Sequence, residues 1–123
     1  MARAIENYRD LKIWQKGMDL VDRIYEDTEN LPREEIYGIT NQMRRAAVSV
    51  PSNIAEGHAK RRGKYFVQHL DTALGSLAEI DTLTEVCLRR RFLPRKVVET
   101  RQEEIRELQR MVRSLQDKIS VNN

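Results

Sequence analysis

The sequence predicts an all-α protein, an antiparallel up-down-up-down four-helix bundle. Three observations carry this reading. Apolar residues recur three and four positions apart along most of the chain, the spacing of one helix face. Turn formers are scarce, with five glycines and three prolines in 123 residues. The composition is 40% hydrophobic and 33% charged but only 6% aromatic, which suits helices with one buried and one wet face. Residues 1–123 read as a single four-helix-bundle domain, long enough to bury a core without metal or disulfide staples.

The first segment runs from about Asp10 to Glu29, with Leu11, Trp14, Met18, Val21 and Tyr25 as its main row. Asp10 is placed to cap it, and Leu31-Pro32 ends it. The second runs from about Arg33 to Glu56, along Ile36, Ile39, Met43, Ala46, Ala47, Val50 and Ile54, and Gly57 supplies the stop. The third spans Gly63 to Arg90, with Phe66, Leu70, Ala73, Leu77, Ile80, Thr84 and Cys87 in register. The fourth opens at Pro94, a good first-turn residue, and carries Val98, Ile105, Leu108, Val112, Leu115 and Ile119 on one stripe. Short connections make neighbouring helices antiparallel.

Two features go beyond a plain bundle. Pro51 stands inside the second apolar row, where proline removes a backbone donor and costs roughly 3 kcal/mol or more. A continuous kinked helix and a helix split by a loop both fit the sequence. Ser49, Ser52 and Asn53 are short polar groups able to bond locally to the freed backbone. Helices one and three also carry apolar residues outside the main rows, such as Ile13, Leu20, Ile24, Leu74 and Val86. Those suggest a second buried surface between subunits, against the alternative of a broad core stripe. Gly75 costs about 1 kcal/mol relative to alanine in a helix interior, and a close helix neighbour would account for it.

The stretches DLKIWQK (residues 10–16), LPREEIYGITNQMRRAAVSVPSNIAEG (31–57) and YFVQHLDTALGSLAEIDT (65–82) resemble the 23S ribosomal RNA intervening-sequence proteins. The most specific part is RRAAVSVPSNIAEG, with Tyr37-Gly38 before it and Gly75 to Glu79 after it. The resemblance implies a helical bundle assembled as a ring of five subunits. It implies no defined biochemical activity. A relative in fold, the accessory protein of diversity-generating retroelements, is a pentameric bundle that binds nucleic acid, which adds analogy only. Within the motif, Arg44, Arg45, Pro51, Asn53 and Glu56 read as structural residues that hold the helix and its polar contacts.

Enzyme chemistry has no recognisable carrier. His58 and His69 lack the glutamate three residues earlier that a di-metal bundle site needs. Neither HExxH nor a phosphate-binding glycine loop occurs, and Ser49, Ser52 and Ser76 have no nucleophile setting. No cofactor and no metal are expected. Cys87, the lone cysteine, reads as a small buried hydrophobe. The first residues lack the apolar core of a signal peptide, and no apolar run approaches a membrane span. A cytoplasmic protein is expected.

Charge supplies the one candidate for function. The net charge is +3 and the pI is near 9.2, which permits nucleic-acid binding without establishing it. The alternating topology gathers Lys60, Arg61, Arg62 and Lys64 at one end, with Arg3 and Arg9 nearby. At the other end Arg89, Arg90, Arg91, Arg95 and Lys96 face Glu26, Asp27, Glu29, Glu34 and Glu35, which should neutralise them in part. The first end is the candidate RNA or DNA surface. Because Tyr65 is the one aromatic residue among these cations, binding should be largely indifferent to base sequence. The competing reading is a structural or protein-interaction module whose lysines and arginines serve solubility.

Overall fold

The computed structural model describes residues 7–122, with side chains through Ser120. Four long helices follow one another: α1 (Lys12–Thr28), α2 (Ile39–Ala59), α3 (Gly63–Arg89) and α4 (Arg95–Asn122). Short 3-10 turns occupy Tyr8–Asp10 and Arg33–Glu35, and no strand occurs among the described residues. Among the described residues no helix is long and apolar enough to cross a membrane.

Cross-helix contacts fix the topology. The end of α1 meets the start of α2 through Arg44 and Thr28. Ser49 of α2 meets Ser76 of α3, and Gln116 near the end of α4 reaches Val67 and Asp71 near the start of α3. Lys16 and Asp27 of α1 bond Glu107 and Arg101 of α4. All four pairs run antiparallel, so the bundle is up-down-up-down and closed. Packing is densest between α2 and α3 and sparsest between α1 and α4.

The core is aliphatic. Ile24, Met43, Val50, Ile54, Leu70 and Leu77 are fully buried, as are Ile80, Val98, Ile105 and Val112. Burying each such side chain contributes about 1.5–3 kcal/mol. Buried Thr28 and Thr84 satisfy their hydroxyls on the carbonyls of Ile24 and Ile80, one turn back, at 2.7 Å each. The rows of α3 and α4 lie as their spacing predicts.

Helix α1 reverses its two stripes. Ile13, Gly17, Leu20 and Ile24 face the core, whereas Trp14 and Val21 are half-buried and Met18 and Tyr25 are exposed. Both stripes have helical spacing. The narrow space beside α2 takes the aliphatic one, where Gly17 lets Pro51 and Val50 come close. Asp10 does not cap α1 but lies in the preceding 3-10 turn, which Asn7 caps by accepting from the Arg9 amide at 2.8 Å.

Helix α2 starts later and ends later than its pattern predicts. Residues 33–38 form a 3-10 turn and a further turn, which leaves Ile36 at 54% exposure and Tyr37 at 92%. The helix then runs unbroken through Pro51, which is buried. Gly57 does not stop it. A methyl group there would lie 2.7 Å from His69 Cβ and 3.0 Å from Phe66 Cδ1, so Gly57 is the close crossing point of α2 and α3. Gly75, where close approach is expected, has nothing within 4 Å of such a methyl.

The stops come from arginines. Arg61 (φ 56°) follows α2 and Arg91 (φ 62°) follows α3, in the left-handed region that costs an ordinary residue roughly 1–2 kcal/mol. At α3 the Arg91 and Phe92 amides donate back to the carbonyls of Leu88 (3.1 Å) and Cys87 (2.8 Å), the paired bonds of a Schellman motif.

Candidate nucleic-acid interface

The loop after α2 is only three residues long, so it holds its charges close together. Lys60, Arg61, Arg62 and Lys64 are all exposed. Three of them surround one ring: Lys60 Nζ lies 5.6 Å, Arg62 Cζ 5.9 Å and Lys64 Nζ 5.6 Å from the centroid of Tyr65. Each lies within the roughly 6 Å over which a ring attracts a cation. The ring thus offsets part of the repulsion among like charges. Beside it an open groove of about 810 Å³ is lined by Arg61, Arg62, Gly63, Lys64, Gln68 and Ser120, with Val67 as its one apolar wall. No acid lines it. Phosphate oxygens suit such a surface as point charges and as hydrogen-bond acceptors.

The motif residues buttress this end from inside. Asn53 donates its amide N–H to the Ser49 carbonyl at 2.8 Å and to Ser49 Oγ at 3.0 Å. Its Oδ1 is left to accept, and His69 Nδ1 lies 3.0 Å away. That assigns the His69 proton to Nδ1 and leaves Nε2 to accept from Lys60 Nζ at 2.9 Å. Ser76 Oγ donates to Ser49 Oγ at 2.9 Å. A polar chain therefore runs along the α2–α3 seam from Ser76 to Lys60 and holds the lysine beside Tyr65. Glu56 is exposed and comes within 3.9 Å of His69 Nδ1 rather than facing an arginine.

The other candidates separate. Arg44 donates to Thr28 Oγ1 at 2.9 Å and lies 4.6 Å over the Tyr25 ring, so it fastens α1 to α2. Arg45 is exposed beside a polar groove it shares with Asn41, Gln42, Ser49, Ser76 and Glu79. Arg9 sits 5.4 Å from the Trp14 ring and 5.9 Å from Tyr8, and its ring partners differ from those of the Tyr65 cluster. Arg3 lies outside the described residues.

At the opposite end the acids and arginines of the two loops make no direct pairs among the described residues: no ion pair joins Arg89, Arg90, Arg91, Arg95 or Lys96 to the acids of residues 26–35. Arg89 bonds Glu85 of its own helix at 3.3 Å. The Glu85 carboxyl sits below its usual range, first through the Gln102 hydrogen bond and then through Arg89. Asp27 turns instead to Arg101, with contacts of 2.7 and 3.2 Å. Burial raises the Asp27 carboxyl despite that partner. Burial also works against the Arg101 charge, but Asp27 and Glu104 outweigh it and hold Arg101 above its ordinary value. The bidentate geometry argues for a charged pair, and the raised Asp27 registers the cost of burying it.

No metal-binding cluster of histidine, cysteine and carboxylates occurs among the described residues. Cys87 is buried with Sγ 3.7 Å from Met43 Sδ. Burial, with Asp27 and Glu35 adding to it, pushes the thiol up to about 11.

The family model of the 23S rRNA-intervening sequence protein matches residues 9–114. The chain belongs to that family. The match runs from Arg9 through most of α4 and includes the Tyr65 cluster and the Pro51 motif. A solved structure from Bacteroides thetaiotaomicron VPI-5482, described as a protein with unknown function from the S23 ribosomal protein family, superposes with a TM-score of 0.76. It is 20% identical and covers 85% of this chain and 97% of its own, a likeness of fold. No curated protein matches. For this intervening-sequence family protein, sequence reasoning missed His69 as a structural partner. The signal was Gly57, whose missing side chain makes room for it.

Proposed function

We propose that the protein is a non-enzymatic, homo-oligomeric accessory module of the cytoplasm that holds RNA by its phosphates. The observation that carries this is the Tyr65 cluster: four exposed cations on a three-residue loop and the first turn of α3, beside a groove with no acid among its described lining residues. The family's name links it to ribosomal RNA genes, which agrees with the charge. A ring of subunits would repeat the cluster and multiply weak contacts by avidity.

The test is RNA affinity across a salt series. Each phosphate contact contributes about −0.7 to the logarithmic slope on single strands and about −0.9 on duplex DNA. Replacing Lys60, Arg61, Arg62 and Lys64 with alanine should weaken binding and flatten the slope, while fold and subunit mass stay unchanged. Replacing Arg89, Arg90 and Arg91 should matter less, because Glu85 already engages Arg89. Equal loss from both variants would overturn the assignment of the functional end. No loss from either would favour the second reading, a protein-interaction module, which the uncharged α1–α2 groove supports.

A further inference from the structure

Two apolar features have no partner among the described residues. One is a knob. Ile36 is 54% and Tyr37 92% exposed, in the turn between α1 and α2. That turn is not slack: Glu35, Ile36 and Gly38 donate their amides to the carbonyls of Pro32, Arg33 and Glu35 at 2.9–3.2 Å. The tyrosine is therefore presented on a preformed support. The other is a groove of about 280 Å³ between α1 and α2, walled by Trp14, Met18, Val21, Val48, Pro51 and Ala55. Met18 is 38% and Val48 41% exposed. The remaining lining residues, Tyr8 and Ser52, bring hydroxyls, and among the described residues no charged side chain lines the groove. In a chain that is one-third charged, a groove whose described walls carry no charge and, further along the bundle, an exposed aromatic knob are complementary surfaces.

We propose that Tyr37 of one copy seats in the α1–α2 groove of the next, so that a second copy of this chain is the occupant. This rests on the oligomer proposed above and names its contact. The chemistry matches: a flat apolar ring meets aliphatic and aromatic walls, and its hydroxyl tip meets Ser52 and Tyr8. Tyrosine suits such a role because it brings contact area at low rotamer cost, and it is enriched among the residues that dominate interfaces. The knob cannot fill its own groove. It precedes Ile39, while the groove lies at Val48 to Ala55, roughly 13 to 24 Å further along α2 at 1.5 Å per residue. Knob and groove are different surfaces, so the contact is heterologous, and copies joined this way form a ring where the rotation closes and a filament where it does not. Their different heights on the bundle incline the helices to the symmetry axis.

Two variants test this. Tyr37→Asp removes the knob and keeps the groove; Val48→Asp spoils the groove and keeps the knob. Both positions are exposed, so each variant should fold, with unchanged helical circular dichroism. By sedimentation equilibrium each alone should associate at least tenfold more weakly than the parent. Mixed in equal amounts, they should form a one-to-one dimer and nothing larger, because one intact knob meets one intact groove. A parent that is oligomeric while Tyr37→Asp keeps the same mass overturns this contact and leaves the oligomer standing. A mixture that stays monomeric overturns it as well. A parent that is monomeric at all concentrations overturns the oligomer itself.

Discussion

Two helical glycines, Gly57 and Gly75, should respond in opposite directions to the same added methyl group. At Gly75 the methyl meets nothing within 4 Å, so Gly75→Ala gains helix propensity alone, about 1 kcal/mol. At Gly57 the same gain is set against a Cβ only 2.7 Å from His69 Cβ and 3.0 Å from Phe66 Cδ1. The His69 atom is the root of its side chain and cannot swing away. Either α2 and α3 separate or His69 leaves Asn53 and Lys60. Overpacking of this kind costs about 1–3 kcal/mol. The net for Gly57→Ala is a loss of about 1–2 kcal/mol when the clash is taken at the upper part of that range. The two variants should therefore differ by about 2–3 kcal/mol. For a chain of this length that is roughly 6–15 °C in melting temperature, at about 3–5 °C per kcal/mol. Urea titrations at equal protein concentration measure it, since self-association makes stability depend on concentration. If both variants move the same way by similar amounts, the close crossing at Gly57 is wrong.

Arg101→Met leaves the nearly buried Asp27 carboxylate unpaired and should cost about 3–5 kcal/mol at neutral pH. An acid whose native pKa is raised gives up stability as pH rises above its unfolded value, so this deficit should shrink as pH is lowered from 7 toward about 4; a deficit that does not change with pH would show that Asp27 bears no charge there. Asp27→Asn, which keeps an acceptor for Arg101, should cost less than Arg101→Met in the same denaturation assay. The Cys87 thiol should resist iodoacetamide at pH 8 in the folded protein and react once urea unfolds it; rapid labelling of the native state would contradict its burial and its raised pKa. Arg61→Gly and Arg91→Gly should each stabilise the fold by about 1 kcal/mol by relieving a left-handed residue. Only Arg61→Gly should also weaken RNA binding, as filter binding at fixed salt would show.

What the sequence made legible was periodicity confined to one helix. The rows of α3 and α4 point inward as read, because each has one dominant stripe. In α1 two stripes share the helical spacing, and choosing between them needs the shape of the neighbouring α2. The aliphatic row runs through Gly17, which has no side chain to mark it as apolar. The turn at residues 33–38 was misread because Ile36 fits the helical spacing while standing outside the helix. Gly57 admits a neighbour instead of ending its helix, and Gly75 faces open space instead of admitting one: a glycine in sequence does not say which of these it does. The basic loop was legible as charge, since its four cations are nearly consecutive. Its support was not, because His69 and Asn53 are 16 positions apart and meet only after two helices pack. The pairing of Asp27 with Arg101, 74 positions apart, left no local trace at all.

The seam between α1 and α4 has a consequence in time. Every other adjacent pair of helices is consecutive in the chain and can zip as soon as both have been made. The α1–α4 seam waits for the last helix, and what closes it is largely polar: Lys16 with Glu107 and Asp27 with Arg101, across a groove that holds Asp19, Arg23 and Glu104. During synthesis the α2–α3 hairpin can therefore be in place while α1 still has one flank open to water. In the finished protein the same flank is the one a fluctuation opens first. Amides of α1 should exchange with solvent ahead of those of α2 and α3, and faster in high salt, where the exposed Lys16–Glu107 bond is screened. The helix made first is thus the last to be locked and the first to come loose.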